Sequence, residues 1–127
     1  MRAGRADPML LAGRSVLVVE DEFLIAEEMR SLVQQLGGTV IGPAGSIDAA
    51  LDLLRVITPD IALLDINLHG NRVYLVAEAL GAARVPFIFA TGYDARLVDA
   101  RFQDAPHLAK PFSLSGLRAA LRHIPLQ

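Results

Sequence analysis

The chain has 127 residues, 53% of them apolar, with no cysteine and a net charge of −2. That length suits one domain with a real core, and the apolar content excludes a disordered tail. Lacking cysteine, the chain has no disulfides, thiolate metal sites or cysteine nucleophile, which fits a reducing compartment.

Residues 1–13 contain Gly4, Pro8 and Gly13 without periodicity and are expected to be a flexible leader before a domain over 14–127. Met9-Leu10-Leu11-Ala12 is too short for the apolar region of a signal peptide. Val16-Leu17-Val18-Val19 predicts a strand buried on both faces. A helix follows, with Ile25, Met29, Leu32, Val33 and Leu36 on one face and Gly37-Gly38 at its end. Thr39–Gly42 predicts a second strand, and Ser46 caps a second helix that Pro59 stops. Ile61–Leu64 predicts the third strand, and Val73, Val76, Ala77 and Leu80 the third helix. Phe87–Ala90 is the fourth strand, after Pro86. Residues 94–102 predict a short fourth helix capped by Asp94, the least regular of the set. His107-Leu108-Ala109 is the fifth strand, and Ser113 caps a last helix carrying Leu114, Leu117, Leu121 and Ile124.

Five alternations of strand and helix with continuously apolar strands imply an α/β fold. Its core is a five-stranded parallel sheet with helices on both faces. The expected strand order is the flavodoxin-like 2-1-3-4-5. No apolar run approaches the ~20 residues of a membrane span, and the scattered arginines form no nucleic-acid stripe. A cytoplasmic protein with neither membrane nor nucleic acid as partner is expected.

Parallel α/β sheets bind ligands beyond the carboxyl ends of their strands. Glu20, Asp21 and Glu22 follow the first strand, and Asp65 ends the third with Asn67 two residues on. Thr91 ends the fourth and Lys110 the fifth. Carboxylates gathered there would repel one another by about 4 kcal/mol per pair at a typical effective dielectric. Either one acid stays protonated or a cation is shared. Hard oxygen ligands without cysteine or clustered histidine favour Mg²⁺. A carboxylate can attack phosphorus to form an acyl phosphate. Asp65, ending the central strand, is the best-placed nucleophile. The Lys110 ammonium and Thr91 hydroxyl would face the phosphoryl oxygens.

The ordered set Val16–Glu22, Leu63-Leu64-Asp65-Ile66-Asn67, Phe89-Ala90-Thr91-Gly92-Tyr93 and Lys110-Pro111-Phe112 resembles the receiver domain of two-component response regulators. The resemblance runs from about Arg14 to His123. It implies phosphorylation of Asp65 by a histidine kinase or phosphotransfer protein. It also implies Mg²⁺ on Asp21 and Asp65, on Glu20 through water and on the backbone carbonyl of Asn67, with a cis Lys110-Pro111 bond. The Phe-Ala-Thr-Gly-Tyr stretch is similar to a subgroup of stand-alone receivers that work with HWE-type histidine kinases and often have a poorly ordered fourth helix. Two features depart from the family. His107 stands where an aromatic switch residue is common, and the loop Leu68-His69-Gly70-Asn71 lacks the common Met-Pro pair. Bulky Tyr93, two residues after Thr91, is expected to slow hydrolysis of the phosphoaspartate.

Taken singly, Asp21 reads equally well as a helix cap, and Lys110 and Thr91 as solvated or turn residues. His69, His107 and His123 lack zinc-site spacing. A flavin or nucleotide carrier would not present Glu20-Asp21-Glu22 to a phosphate. An aspartyl-phosphate phosphatase would place a second aspartate where Asn67 stands. A degenerate receiver acting only as a protein-binding module would not need Asp65, Thr91 and Lys110 together. Because the last helix ends near residue 124, output is expected through contact with a downstream protein target. The chain reads equally as a stand-alone protein or as the receiver of a longer one.

Overall fold

The computed structural model describes residues 9–91 and 98–126, with Thr91 described by its backbone alone. The main strands are β1 (Ser15–Val19), β2 (Thr39–Ala44), β3 (Ile61–Asp65), β6 (Phe87–Thr91) and β7 (His107–Ala109). They form one sheet in the order β2-β1-β3-β6-β7, all pairs parallel. This is the expected 2-1-3-4-5 order. Between β3 and β6 lies a hairpin of two-residue strands absent from the sequence reading, β4 (Asn67–Leu68) and β5 (Asn71–Arg72).

Helices α1 (Phe23–Gln35) and α4 (Leu114–Leu121) enclose one apolar layer against the sheet. Helices α2 (Ile47–Val56) and α3 (Tyr74–Ala82) enclose the other. Residues Val16 to Val19 are all buried, as are Ile61 to Leu64, because crossover helices cover both faces. Two predicted caps form: Ser46 Oγ accepts from Ala49 N at 3.0 Å and Ser113 Oγ from Gly116 N at 3.0 Å. The φ of Gly37 is 87°, a left-handed conformation that glycine adopts freely after a helix.

Two expectations need correction or restriction, and one alternative reading falls away. Within residues 9–13, read as the end of a loose leader, Leu11 alone is buried: it is 1% exposed and belongs to the α1/α4 core, while its neighbours are exposed. Its amide donates to Leu36 O at 2.8 Å. A Cβ on Gly38 would lie 2.8 Å from Val33 Cγ1 and 3.1 Å from Leu11 Cβ, so Gly38 leaves the room in which Leu11 sits. The predicted helix over 94–102 falls partly outside the described residues. Its described end is a short 3₁₀ turn, Ala100–Phe102, capped by Asp99, and the expected cap Asp94 lies outside the described residues. Asp21 does not cap α1: the cap position is Glu22, without a side-chain hydrogen bond.

The 3₁₀ turn is tied down by its own chemistry. Phe102 stacks on Tyr74 with ring centroids 5.4 Å apart and meets Phe89 edge-on at 5.9 Å. Asp99 N donates to the Tyr74 hydroxyl at 2.9 Å. The segment entering β7 is thereby fastened to α3.

Candidate functional site: an acidic cluster at the carboxyl end of the sheet

Strands β1 and β3 are neighbours, with Val19 opposite Leu64. The residues that follow those two positions, Glu20 and Asp65, therefore leave the sheet side by side. Carboxylate oxygens of Glu20, Asp21 and Asp65 lie within 4.8 Å of one another. Glu20 is 2% exposed and Asp65 7%. Among the described residues, these two are the buried charged side chains of the fold.

Three acids this close cannot all ionise freely. Burial pushes the Glu20 carboxyl up to about 8, against the pull of the Glu22 amide that donates to its Oε2 at 3.0 Å. The Asp65 charge raises it further. Glu20 is therefore the acid that holds a proton at neutral pH. Burial also raises the pKa of Asp65, opposed chiefly by the charge of Lys110 and by the Asn67 amide, 3.5 Å from Oδ1. For Asp21 burial acts upward but is outweighed, first by the His69 amide, and the net shift is downward. The result is one ionised acid at the rim, one protonated acid beneath it, and Asp65 between them.

His69 was missed by the sequence reading. Its amide donates to Asp21 Oδ2 at 2.9 Å, and its Nδ1 lies 3.4 Å from the same oxygen. Forty-eight residues separate the two; only the β4–β5 hairpin brings them together. The signal available in sequence was His69-Gly70, a dipeptide suited to a tight turn, and both residues have positive φ, 49° and 84°.

The donor set suits a small hard cation. It is all oxygen, crowded with like charge, and Glu20 Oε1 is buried with no hydrogen-bond partner among the described residues. A divalent cation would lower the Glu20 pKa and stabilise the ionised forms of all three acids.

The remaining predicted residues surround this cluster. Thr91 closes β6, with its backbone opposite Ala109; its side chain and all of Tyr93 lie outside the described residues. Lys110 follows β7, is exposed, and reaches Glu20 and Asp65 by its charge, with no direct ion pair to either among the described residues. The Lys110-Pro111 bond is cis. His107 is half-buried against Phe89, with centroids 5.7 Å apart. Burial lowers its pKa, and its Nε2 has no partner among the described residues.

Among the described residues no helix is long and apolar enough to cross a membrane. Comparison with known proteins points one way. The sequence pattern of the response regulator receiver domain matches residues 16–122. Transcriptional regulatory protein PdtaR of Mycobacterium tuberculosis is 30% identical over 112 residues, 85% of this chain and 55% of that protein. The phyllosphere-induced regulator PhyR of Methylorubrum extorquens is 36% identical over 110 residues, 84% of this chain and 41% of PhyR. The chain thus spans about half the length of these curated relatives. Among solved structures, SdrG from Sphingomonas melonis Fr1 superimposes with a TM-score of 0.79 at 41% identity. The match covers 88% of this chain and 94% of SdrG. The response regulator PhyR from Brucella abortus gives 0.77 at 29% identity, over 91% of this chain and 49% of that one. The chain belongs to the response regulator receiver domain family.

Proposed function

We propose that this chain accepts a phosphoryl group on Asp65 from the phosphohistidine of a histidine kinase or phosphotransfer protein. The observation that carries the reading is the meeting of Glu20, Asp21 and Asp65 within 4.8 Å at one rim of the sheet. An Asp65 carboxylate oxygen would attack phosphorus as the P–N bond breaks, leaving an acyl phosphate on Asp65 and a protonated, neutral histidine on the donor. Asp21 and Asp65, the Asn67 backbone carbonyl and, through water, Glu20 would hold Mg²⁺. When bound it supplies positive charge to the phosphoryl oxygens. Lys110 supplies a second cation from the other side, and Thr91 a hydroxyl donor. Ionisation of Asp65 is the protein's own contribution, and Lys110 and the Asn67 amide favour it against burial.

Phosphorylation adds nearly two negative charges at the rim. Thr91 and Lys110, at the ends of β6 and β7, are the groups that would respond. The face over residues 91–122 is thereby biased toward contact with a downstream protein target. His107 occupies the switch position and Tyr93 slows hydrolysis of the acyl phosphate. An HWE-type histidine kinase is the donor class that the Phe-Ala-Thr-Gly-Tyr stretch suggests, and the site of action is cytoplasmic. The working unit is residues 14–127, with residues 1–13 as leader, anchored to it through Leu11.

Incubation with acetyl phosphate and Mg²⁺, followed by intact mass measurement, tests this reading. One phosphoryl adduct is expected on the native chain and none after Asp65→Asn or with a chelator. An adduct that survives Asp65→Asn would overturn the assignment. No adduct on the native chain from either acetyl phosphate or a phosphorylated kinase would leave the binding-module reading standing instead.

A further inference from the structure

At the opposite, amino end of the sheet, Leu10, Arg14, Arg118, Leu121, Arg122, Ile124 and Leu126 line a cavity of about 480 Å³. Its floor is apolar, and every charged residue in its lining is an arginine. Among the described residues none of the three guanidiniums pairs with a carboxylate. This occurs in a chain whose 14 acidic residues outnumber its 12 basic ones. Arg118 and Arg122 are four residues apart on the end of α4 and share a face; Arg14 stands on the segment leading into β1. Arg118 Nε is shielded from solvent with no hydrogen-bond partner among the described residues. A buried donor without a partner carries a free-energy cost that a bound acceptor would remove.

We propose that this pocket docks an acidic, leucine-bearing peptide segment of a partner protein. Guanidinium groups match carboxylates two oxygens at a time. Two of them one helical turn apart, with a third on the segment before β1, fit acids repeated along a peptide better than a single small anion. The apolar floor takes the bulky side chains between those acids, as in other helix-lined grooves. The chain's own residues 1–8 are a poor occupant, since they carry Arg2 and Arg5 against a single acid, Asp7. A second copy is also a poor fit. Among the described residues the most exposed apolar pair beside acids is Phe23 and Leu24, next to Asp21 and Glu22 at the other end of the sheet. Such a head-to-tail contact is heterologous and could not close as a two-fold dimer. The pocket lies on the flank of α4 away from Gly116, Ala119 and His123, which face β7. It uses none of the residues proposed for phosphoryl transfer.

The test is fluorescence anisotropy with the labelled peptide Glu-Asp-Leu-Leu-Glu-Asp-Leu-Glu against the full chain. The same measurement is made on versions with serine for leucine and with lysine for the acids. Saturable binding is expected, weakened at least about tenfold in either control peptide. A similar loss is expected from Arg118→Gln/Arg122→Gln, and also from Arg14→Gln on the segment leading into β1, which keeps the test valid should the double variant misfold. Amide shifts on titration should map to Leu10, Leu121, Ile124 and Leu126. The proposal fails if binding is absent up to about 1 mM, if the serine peptide binds equally, or if the arginine variants bind unchanged. It fails also if the shifts map elsewhere. Arginine-dependent binding to phosphatidylglycerol vesicles in place of the peptide would overturn it in favour of a lipid. Self-association abolished by the same substitutions would overturn it in favour of a second copy.

Discussion

At the carboxyl end of the sheet three acids on short side chains are forced within 4.8 Å of each other, two of them buried. At the amino end three arginines on long side chains stand around an apolar hollow, and only one nitrogen among them is cut off from water without a partner among the described residues. The acidic end relieves its repulsion internally, through a retained proton on Glu20 and the His69 amide on Asp21. The basic end has no such internal relief and needs little, because water and salt screen solvated guanidiniums from one another. Short side chains on strand ends make a site for a small cation; long ones on a helix end make a surface for an extended anion.

The largest effect expected from any change at these ends is on stability, from Leu11→Ala. Leu11 is fully enclosed between α1 and α4, so truncation should cost about 2–5 kcal/mol, read as a lower urea midpoint at unchanged slope. A near-neutral result would return residues 9–13 to the status of a leader. Next comes the pH response of the acidic end. Glu20 releases its proton near 4.5 when unfolded and near 8 when folded. Its contribution to stability is therefore complete below about pH 4.5 and is lost as pH rises to about 8. In chelator, the melting temperature should fall across that window, Glu20→Gln should flatten the fall, and Mg²⁺ should flatten it in the native chain. A flat native profile in chelator would contradict the retained proton.

Independence of the two ends is a sharper and smaller test. Arg118→Gln/Arg122→Gln should leave the rate of adduct formation with acetyl phosphate within about twofold, because no residue of the pocket touches the acidic cluster. A larger change would mean the ends are coupled. The smallest effect is expected from His69→Gly. The amide that holds Asp21 is kept and the left-handed φ of 49° becomes unstrained. Stability should shift by less than about 1 kcal/mol and Mg²⁺ affinity, followed by calorimetry, by less than about twofold. A large loss of affinity would assign the role to the His69 ring instead.

Much of the fold was legible because buried strands and capped helices leave local marks. Val16–Val19 and Ile61–Leu64 are apolar without alternation, and Ser46 and Ser113 precede their helices by one residue. Leu11 was misread because a single leucine in a Gly- and Pro-marked stretch has no period; its burial depends on the gap above Gly38. The β4–β5 hairpin is too short to show alternation. Asp21 alone was ambiguous between cap and ligand; the cap position of α1 falls on Glu22, and the contact that engages Asp21 comes from a loop forty-eight residues away.

What the amino-acid sequence determined by itself is the alternation of elements and the identity of the residues at the strand ends, since both follow from short-range hydrophobic pattern and position. Which of those residues meet, which of the acids keeps its proton, and where the arginines gather were decided by tertiary structure. Those properties depend on distances across neighbouring strands and on exclusion of water. Parallel pairing of β1 with β3 sets Glu20 beside Asp65, and burial of Leu11 in the core shared with α4 accompanies the meeting of Arg14 and Arg118 at one cavity.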